Sequence, residues 1–211
     1  MESVVKKQLD VGIDFVSDGE MSKISYATYI KDRIDGFSGE SERRAPADLD
    51  DFPEYKKKIA KSGGTPTYTR PCCTNELKVK DETSLLQDIN NFKNSLDKLN
   101  HRHAFMNSAS PGVINVFMPN KFYSTEDEYL DKLSNIMAKE YELITKSDIQ
   151  VQLDCPDLAL ARHMNFKNLS EDEIIKRAEL QIECLNSALS NVDVEQTRMH
   201  ICWGKIGRAH V

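Results

Sequence analysis

The sequence of 211 residues lacks any long uninterrupted apolar run. A membrane-spanning helix needs roughly 20 predominantly apolar residues, and no stretch here approaches that length. The opening residues Met1-Glu2-Ser3 also lack the basic and then apolar pattern of a secretory signal peptide. We therefore predict a cytoplasmic protein that does not enter a membrane.

A surplus of positive charge is also missing. The chain has 28 Lys and Arg residues against 34 Asp and Glu residues, which gives a formal net charge of −6. Nucleic acids and membrane surfaces are polyanionic and would repel such a chain. The one basic run, 56–58, lies beside Asp50, Asp51 and Glu54 and is typical of a solvated helix face. We expect neither nucleic acid nor membrane as a partner.

The sequence has no regular cysteine framework. It contains five cysteines, an odd number, and Cys72 and Cys73 are adjacent and unsuited to pairing with each other. Reduced thiols in a reducing compartment are the expected state.

Hydrophobic patterning predicts alternating helices and strands over most of the chain. The predicted helices are 1–10, 26–34, 83–99, about 125–145 and a helix that begins with the capping box Ser170–Glu173 and reaches about 190. The predicted strands are 13–17, 65–73, 103–109, one that ends at Asp154, and one that carries His200 and Cys202. Residues 38–62 form a charged excursion with one short helix near 54–61, and no function can be assigned to them.

Five strands separated by helices predict a parallel sheet with right-handed crossovers. A nucleotide-binding doubly wound sheet would carry Gly-x-Gly-x-x-Gly after a strand, and the sequence has no such motif. Polar residues at several strand ends favour instead a (β/α)8 barrel, whose reaction site gathers at the carboxyl ends of its strands. We therefore predict an α/β fold that forms part of such a barrel.

The pattern His200-Ile201-Cys202 is the first candidate for chemistry. Side chains two positions apart on a strand project from the same face, and imidazole and thiolate are ligand types that zinc prefers. Two other predicted strands end in acidic residues, at Asp18-Gly19-Glu20 and at Asp154. A His and a Cys that merely fill a core are the alternative interpretation.

In these motifs the chain resembles the carboxyl-terminal barrel domain of cobalamin-independent methionine synthases and their shorter single-barrel relatives. The resemblance rests, in order, on Gly12-Ile13-Asp14 with Asp18-Gly19-Glu20, on Ser110-Pro111-Gly112, on Gln152-Leu153-Asp154 with Pro156, and on His200-Ile201-Cys202-Trp203-Gly204. It covers residues 1–204 and implies the second to sixth strands of the barrel, with the chain truncated at both ends. Residues 205–211 resemble a translated sequencing adapter and are expected to lie outside the fold.

The resemblance also implies the site. His200 and Cys202 correspond to zinc ligands of the family, whose further Glu and Cys ligands would lie beyond this sequence. Asp154 and Glu20 correspond to carboxylates that hold the amino group of the substrate. The implied reaction is methyl transfer from a methylated folate to the thiol of homocysteine, which zinc activates by lowering the thiol pKa. No residue is assigned as the catalytic acid that protonates the folate nitrogen.

Other interpretations stay open at this point. Where the family has a Trp that stacks on the pterin, the comparable stretch 113–119 offers only Phe117. A transferase that opens epoxides with coenzyme M and a barrel that binds a ligand without catalysis are the alternatives. Asp157, Arg162 and His163 follow the Asp154 strand and are predicted either to contact an anionic substrate group or to pair within their own loop. The chain by itself is expected to be inactive, because it would lack strands and zinc ligands.

Overall fold

The computed structural model describes residues 1–41, 47–62, 70–159, 166 and 168–202. The strands in these ranges are β1 (Val16–Ser17), β2 (Ile34–Ser38), β3 (Cys72–Val79), β4 (Ala104–Ala109), β5 (Gln150–Asp154) and β6 (Thr197–His200). The α-helices in the same ranges are α1 (Glu2–Asp10), α2 (Pro53–Ser62), α3 (Thr83–Lys98), α4 (Pro111–Phe117), α5 (Glu126–Thr145) and α6 (Glu171–Ala188).

Four of these strands form one parallel sheet in the order β1-β4-β5-β6. Each connection between neighbouring strands contains at least one helix, as the parallel pairing requires. The predicted α/β fold with part of a barrel is therefore confirmed. Because all four strands run the same way, their carboxyl ends meet at one edge of the sheet.

The prediction of a fifth parallel strand at 65–73 was wrong within the described residues. Residues 63–69 lie outside them, and the strand seen here is β3, which begins only at Cys72 and pairs antiparallel with β2. Helix 26–34 was also predicted wrongly, since only a short 3-10 turn forms at Tyr29–Asp32 and the chain then enters β2. The pairing joins segments more than 30 residues apart, so no local turn signal announced it.

Polar caps begin three of the helices, and two of these helices were predicted. The Thr125 Oγ1 accepts a hydrogen bond from the Glu128 amide at the start of α5. Ser170 and Glu173 form the predicted capping box of α6. Such caps typically stabilise a helix by about 1 kcal/mol. The third cap, Ser110, begins the short helix α4, where the sequence had indicated only a turn.

The apolar core lies between the parallel sheet and the helices packed on it. Its largest fully buried side chains include Phe92 of α3, Met106 of β4, and Tyr129 and Tyr141 of α5. The Tyr141 hydroxyl donates to the Ala109 carbonyl at 2.7 Å, which satisfies a polar group at the end of β4 without exposing it. Helix α5 is thereby fixed against β4, which is one of the two central strands of the sheet.

A polar cluster is buried between β4 and the helices. The Glu140 carboxylate accepts hydrogen bonds from Arg33 Nη1 at 2.9 Å, from Ser108 Oγ at 2.7 Å and from the Tyr29 hydroxyl. Arg33 also pairs with Asp88 at 2.6 Å. Burial raises the pKa of the Glu140 carboxyl, but the charges of Arg33 and Lys23 and the hydrogen bonds from Tyr29 and Ser108 outweigh it and leave the pKa below its ordinary value.

The state of the cysteines and the length of the helices can be compared with the sequence. All five cysteines are free thiols, and four of them are buried. None of the helices in the described ranges combines the length and the apolar composition that crossing a bilayer requires.

Candidate functional site

Main-chain hydrogen bonds connect the strand ends at the carboxyl edge of the sheet. In the strand register, Ala109 lies opposite Asp154, and Asp154 lies opposite His200. Just beyond the strands, the Ser110 amide donates to the Asp154 carbonyl at 3.2 Å, and the Cys155 amide donates to the His200 carbonyl at 2.9 Å. These main-chain hydrogen bonds therefore fix the distances between the Cα atoms from which the side chains at this edge extend.

The turn after β1 brings Glu20 to the same edge. Gly19 and Glu20 both have positive φ, 65° and 54°. The Asp18 Oδ1 accepts the Glu20 amide at 3.1 Å, and the Ser17 Oγ accepts the Gly19 amide at 3.2 Å. A side chain at Gly19 would meet Val4 of α1 at 2.7 Å. A left-handed residue other than glycine costs on the order of 1 kcal/mol and is enriched at functional sites.

Asn107 of β4 lies between the two predicted substrate carboxylates. Its Nδ2 donates to Glu20 Oε1 and to Asp154 Oδ2, both at 3.1 Å. The sequence interpretation did not include Asn107, because nothing in its local pattern distinguishes it from any other polar residue on a strand. Only the pairing of β1, β4 and β5 brings the three side chains together.

Asp154 is the most enclosed of the predicted site residues. It is only 4% exposed. Besides Asn107, its neighbours are Gln152, whose Nε2 donates to Oδ1 at 3.3 Å, and His200, whose Nδ1 lies 3.3 Å from the same oxygen. A carboxylate at a strand end in this setting is oriented by several groups at once.

All four predicted site residues line one cavity. Glu20, Asp154, His200 and Cys202 surround a space of about 670 Å³ at the carboxyl edge of the sheet, and Tyr26 contributes an aromatic wall. This volume lies within the range of small-molecule pockets, and a pocket of this kind combines apolar walls with a few convergent polar groups.

The donor atoms of His200 and Cys202 fit part of a zinc site. The hydrogen-bonding position of His200 Nδ1 beside Asp154 leaves Nε2 as the ring nitrogen for a metal, and a carboxylate behind a histidine is a common support for a zinc ligand. Cys202 is half-buried and lines the same cavity. Among the residues that the structure describes, no three His, Cys, Asp or Glu side chains converge closely enough to hold an ion.

Asp157, which follows the β5 strand, is held in place by contacts within the protein. It is buried, and its Oδ1 accepts a hydrogen bond from Ser110 Oγ at 2.9 Å. A Cβ at Gly112 would lie 2.1 Å from Asp157 Oδ2, so a larger residue there would displace the Asp157 carboxylate. Burial raises the pKa of the Asp157 carboxyl to about 6, and the Ser110 hydrogen bond and the Arg177 charge offset only part of this. The other two predicted members of this cluster, Arg162 and His163, lie outside the described residues.

The structure gives Phe117 a different environment from the one a pterin-stacking residue needs. Phe117 is 6% exposed. Tyr26 packs edge-on against its ring at 5.6 Å between centroids, and the Arg70 guanidinium lies 4.7 Å from the ring centre. Most of the ring is therefore already covered by protein.

Two comparisons with known proteins found similar chains. The chain is similar to a curated methionine synthase of Sulfolobus acidocaldarius, with 23% identity over 204 residues, which cover 96% of this chain and 50% of the relative. In fold it is similar to a B12-independent methionine synthase from a Shewanella species, solved in complex with selenomethionine, with a TM-score of 0.67 and 16% identity. That match covers 96% of this chain and 50% of the solved one. No family model matches the chain.

These matches confirm the resemblance to the cobalamin-independent methionine synthases and the partial barrel. The chain spans about half the length of the relatives it matches. At this identity the structural match supports the fold, and the curated relative is named a methionine synthase.

Proposed function

We propose that this chain is part of a zinc-dependent methyltransferase that transfers a methyl group from a methylated folate to the thiol of homocysteine in the cytoplasm. The observation that carries the proposal is the convergence of two carboxylates, Glu20 and Asp154, on one cavity that His200 and Cys202 also line. Phe117, the candidate for stacking on the pterin, is covered by neighbouring side chains.

Glu20 and Asp154 have the chemistry to hold an amino-acid ammonium group. An ammonium that leaves water for a partly enclosed cavity needs anionic partners, since an unpaired charge there is costly. Charge-assisted hydrogen bonds to two carboxylates meet this need and orient the ligand. The thiol of a bound homocysteine would then extend toward the part of the cavity that His200 and Cys202 line.

His200 and Cys202 are the residues of this chain that would hold zinc. When bound, zinc supplies a coordinated thiol with a lowered pKa, so that the thiol is a thiolate at neutral pH. Asp154 would orient the His200 ring through Nδ1. In the overall transfer, a carbon–sulfur bond forms, the bond between the methyl carbon and the folate nitrogen breaks, and that nitrogen takes up a proton.

The carboxylates are tested by calorimetric titration of the chain with L-homocysteine and with 4-mercaptobutanoate, which lacks only the amino group. We expect the amino thiol to bind more tightly, and we expect Asp154→Asn and Glu20→Gln each to weaken it by roughly 10- to 100-fold, the range for a lost hydrogen bond to a charge. Asp131→Asn, an exposed change on α5, is the matched control and should have no effect.

Two outcomes would contradict the proposal. Equal binding of the two thiols would remove the role of the carboxylates. Tighter binding of 2-mercaptoethanesulfonate, insensitive to Asp154→Asn, would favour the epoxide-opening transferase.

The metal ligands are tested separately with Co²⁺ as a spectroscopic substitute for zinc. We expect an absorption band from cobalt–thiolate bonding that Cys202→Ser abolishes and His200→Ala weakens, and a band that survives Cys202→Ser would contradict the assignment.

A further inference from the structure

We propose that Asn107 is a positioning residue that holds Glu20 and Asp154 at the separation that a single ammonium group requires. The inference rests on the proposed function, because it assumes that an amine is the group recognised. It adds a role for a side chain that the comparison with methionine synthases does not assign.

The first argument is the geometry of the amide. One nitrogen, Asn107 Nδ2, donates to an oxygen of Glu20 and to an oxygen of Asp154, both at 3.1 Å. The two acceptor oxygens therefore lie no farther apart than twice that distance. An ammonium nitrogen forms charge-assisted hydrogen bonds of about 2.7–2.9 Å, so a separation set by one bridging nitrogen also suits a second bridging nitrogen.

The second argument is electrostatic. Two carboxylates that approach each other from different strands repel, and the repulsion is stronger in a partly enclosed site than in water. A primary amide brings two donors and no net charge. It can hold two carboxylates together without adding a charge of its own. Each carboxylate oxygen accepts more than one hydrogen bond, so the ammonium need not displace the amide.

The third argument is that the backbone of Asn107 is itself fixed. Asn107 lies on β4, between β1 and β5 in the sheet, and is paired in register with Gln152. The Lys23 Nζ donates to the Asn107 carbonyl and lies 4.6 Å from the centre of the Tyr29 ring. A side chain on this support is a fixed reference point for the turn that carries Glu20.

Gln152 provides the matched comparison. Its Nε2 donates to Asp154 alone, at 3.3 Å, and it lines the same cavity. If bridging is what matters, removing the Gln152 amide should have a smaller effect than removing the Asn107 amide. Leucine is close in size to both residues and removes the donors, so Asn107→Leu and Gln152→Leu form a pair.

The experiment measures the dissociation constants of L-homocysteine and 4-mercaptobutanoate for the full chain and both variants. We expect Asn107→Leu to weaken L-homocysteine about tenfold more than it weakens 4-mercaptobutanoate, in line with one lost hydrogen bond to charge. Gln152→Leu should change this ratio about threefold or less. Equal weakening of both thiols by Asn107→Leu would overturn the proposal, because it would indicate a packing role.

A second measurement keeps this test separate from that of the proposed function. The side-chain amide signals of Asn107 are followed by NMR in the unliganded chain. We expect them to move in Glu20→Gln and also in Asp154→Asn, because each variant changes one end of the bridge. If neither thiol binds but both variants move the signals, the homocysteine function fails while the bridge stands. If the signals respond to only one carboxylate or to neither, the positioning role fails whatever binds.

Discussion

Asn107 and Ser108 are adjacent on β4 but belong to polar clusters of opposite character. Successive side chains on a strand point to opposite faces, so Ser108 joins Arg33, Glu140 and Tyr29 on the helix side, while Asn107 joins Glu20, Asp154 and His200 on the cavity side. We call these the helix-side cluster and the cavity-side cluster. In the helix-side cluster the Glu140 carboxylate forms an ion pair with Arg33. The cavity-side cluster brings two carboxylates to an open space.

The difference teaches where charge serves stability and where it serves binding. In the helix-side cluster a buried carboxylate has a buried guanidinium and two hydroxyl donors, so its charge is balanced within the fold. In the cavity-side cluster the hydrogen bonds at Asp154 come from side-chain amides, with an imidazole beside it. Charge held mainly by neutral donors is still available to a cationic ligand.

The largest expected effect comes from breaking the helix-side cluster. Glu140→Gln removes the negative charge and leaves Arg33 with Asp88 as its ion-pair partner. Removing one member of a buried pair typically costs about 3–5 kcal/mol. Because Asp88 still pairs with Arg33, we expect a loss near the lower end of this range, about 3 kcal/mol, in the free energy of unfolding, measured by urea denaturation.

The control lies two residues farther along the same helix. Glu142 pairs with the exposed Lys146, and Glu142→Gln should change the unfolding free energy much less. A loss of less than about 1 kcal/mol in Glu140→Gln would mean that the helix-side cluster is not the stabilising one.

A smaller effect is expected at Asp157, another buried carboxyl, where the charge of Arg177 offsets only part of the cost of burial. Its folded pKa, about 6, lies above the ordinary value of 3.8. Ionised Asp157 therefore destabilises the fold. The penalty is absent below about pH 4, grows as the pH rises toward 6, and is complete above that.

Asp157→Asn removes the titration. Relative to the unsubstituted chain, the variant should gain about 2–3 kcal/mol of unfolding free energy between pH 4 and pH 8. Only the difference between the two pH values is compared, because any effect of the altered hydrogen bond is present at both. A difference that does not change with pH would show that the Asp157 pKa is the same in the folded and the unfolded chain, so that burial does not raise it.

The smallest effect is expected from substitutions on the two faces of β4, at Ser108 and at Asn107. Ser108→Ala removes a hydrogen bond of 2.7 Å to Glu140 and should lower the unfolding free energy by about 1–2 kcal/mol, while the affinity for L-homocysteine is unchanged. Asn107→Leu should do the reverse, with little change in unfolding and a clear change in binding. Denaturation and calorimetry on the same two variants check both halves, and parallel changes would erase the distinction between the clusters.

Features with a local pattern were predictable from the sequence. The capping box at Ser170 and the periodicity of the helix after Thr125 are local patterns, and both elements formed. The strand predicted to carry His200 and Cys202 formed only as far as His200, and Cys202 lies just beyond its end. The gathering of Glu20, Asp154, His200 and Cys202 at one cavity also followed, because parallel strands place their carboxyl ends together.

Contacts between distant segments were not predictable in this way. The pairing of β2 with β3, the bridge from Asn107 to two carboxylates and the balance of Glu140 by Arg33 join residues 34–107 positions apart. No spacing rule links such positions, since side chains meet across a sheet only after the topology is chosen. Helix α4 was missed because seven residues are too few to show a period.

The two amides that connect the strand ends, those of Ser110 and Cys155, have a consequence for how this site can change over evolutionary time. They fix the carboxyl edge of the sheet through backbone N–H groups, which every amino acid except proline supplies. Side chains around this edge can therefore be exchanged one at a time while the scaffold stays intact. New substrates become accessible by small sequence steps, and hydrogen exchange at these two amides should be slow in every such descendant.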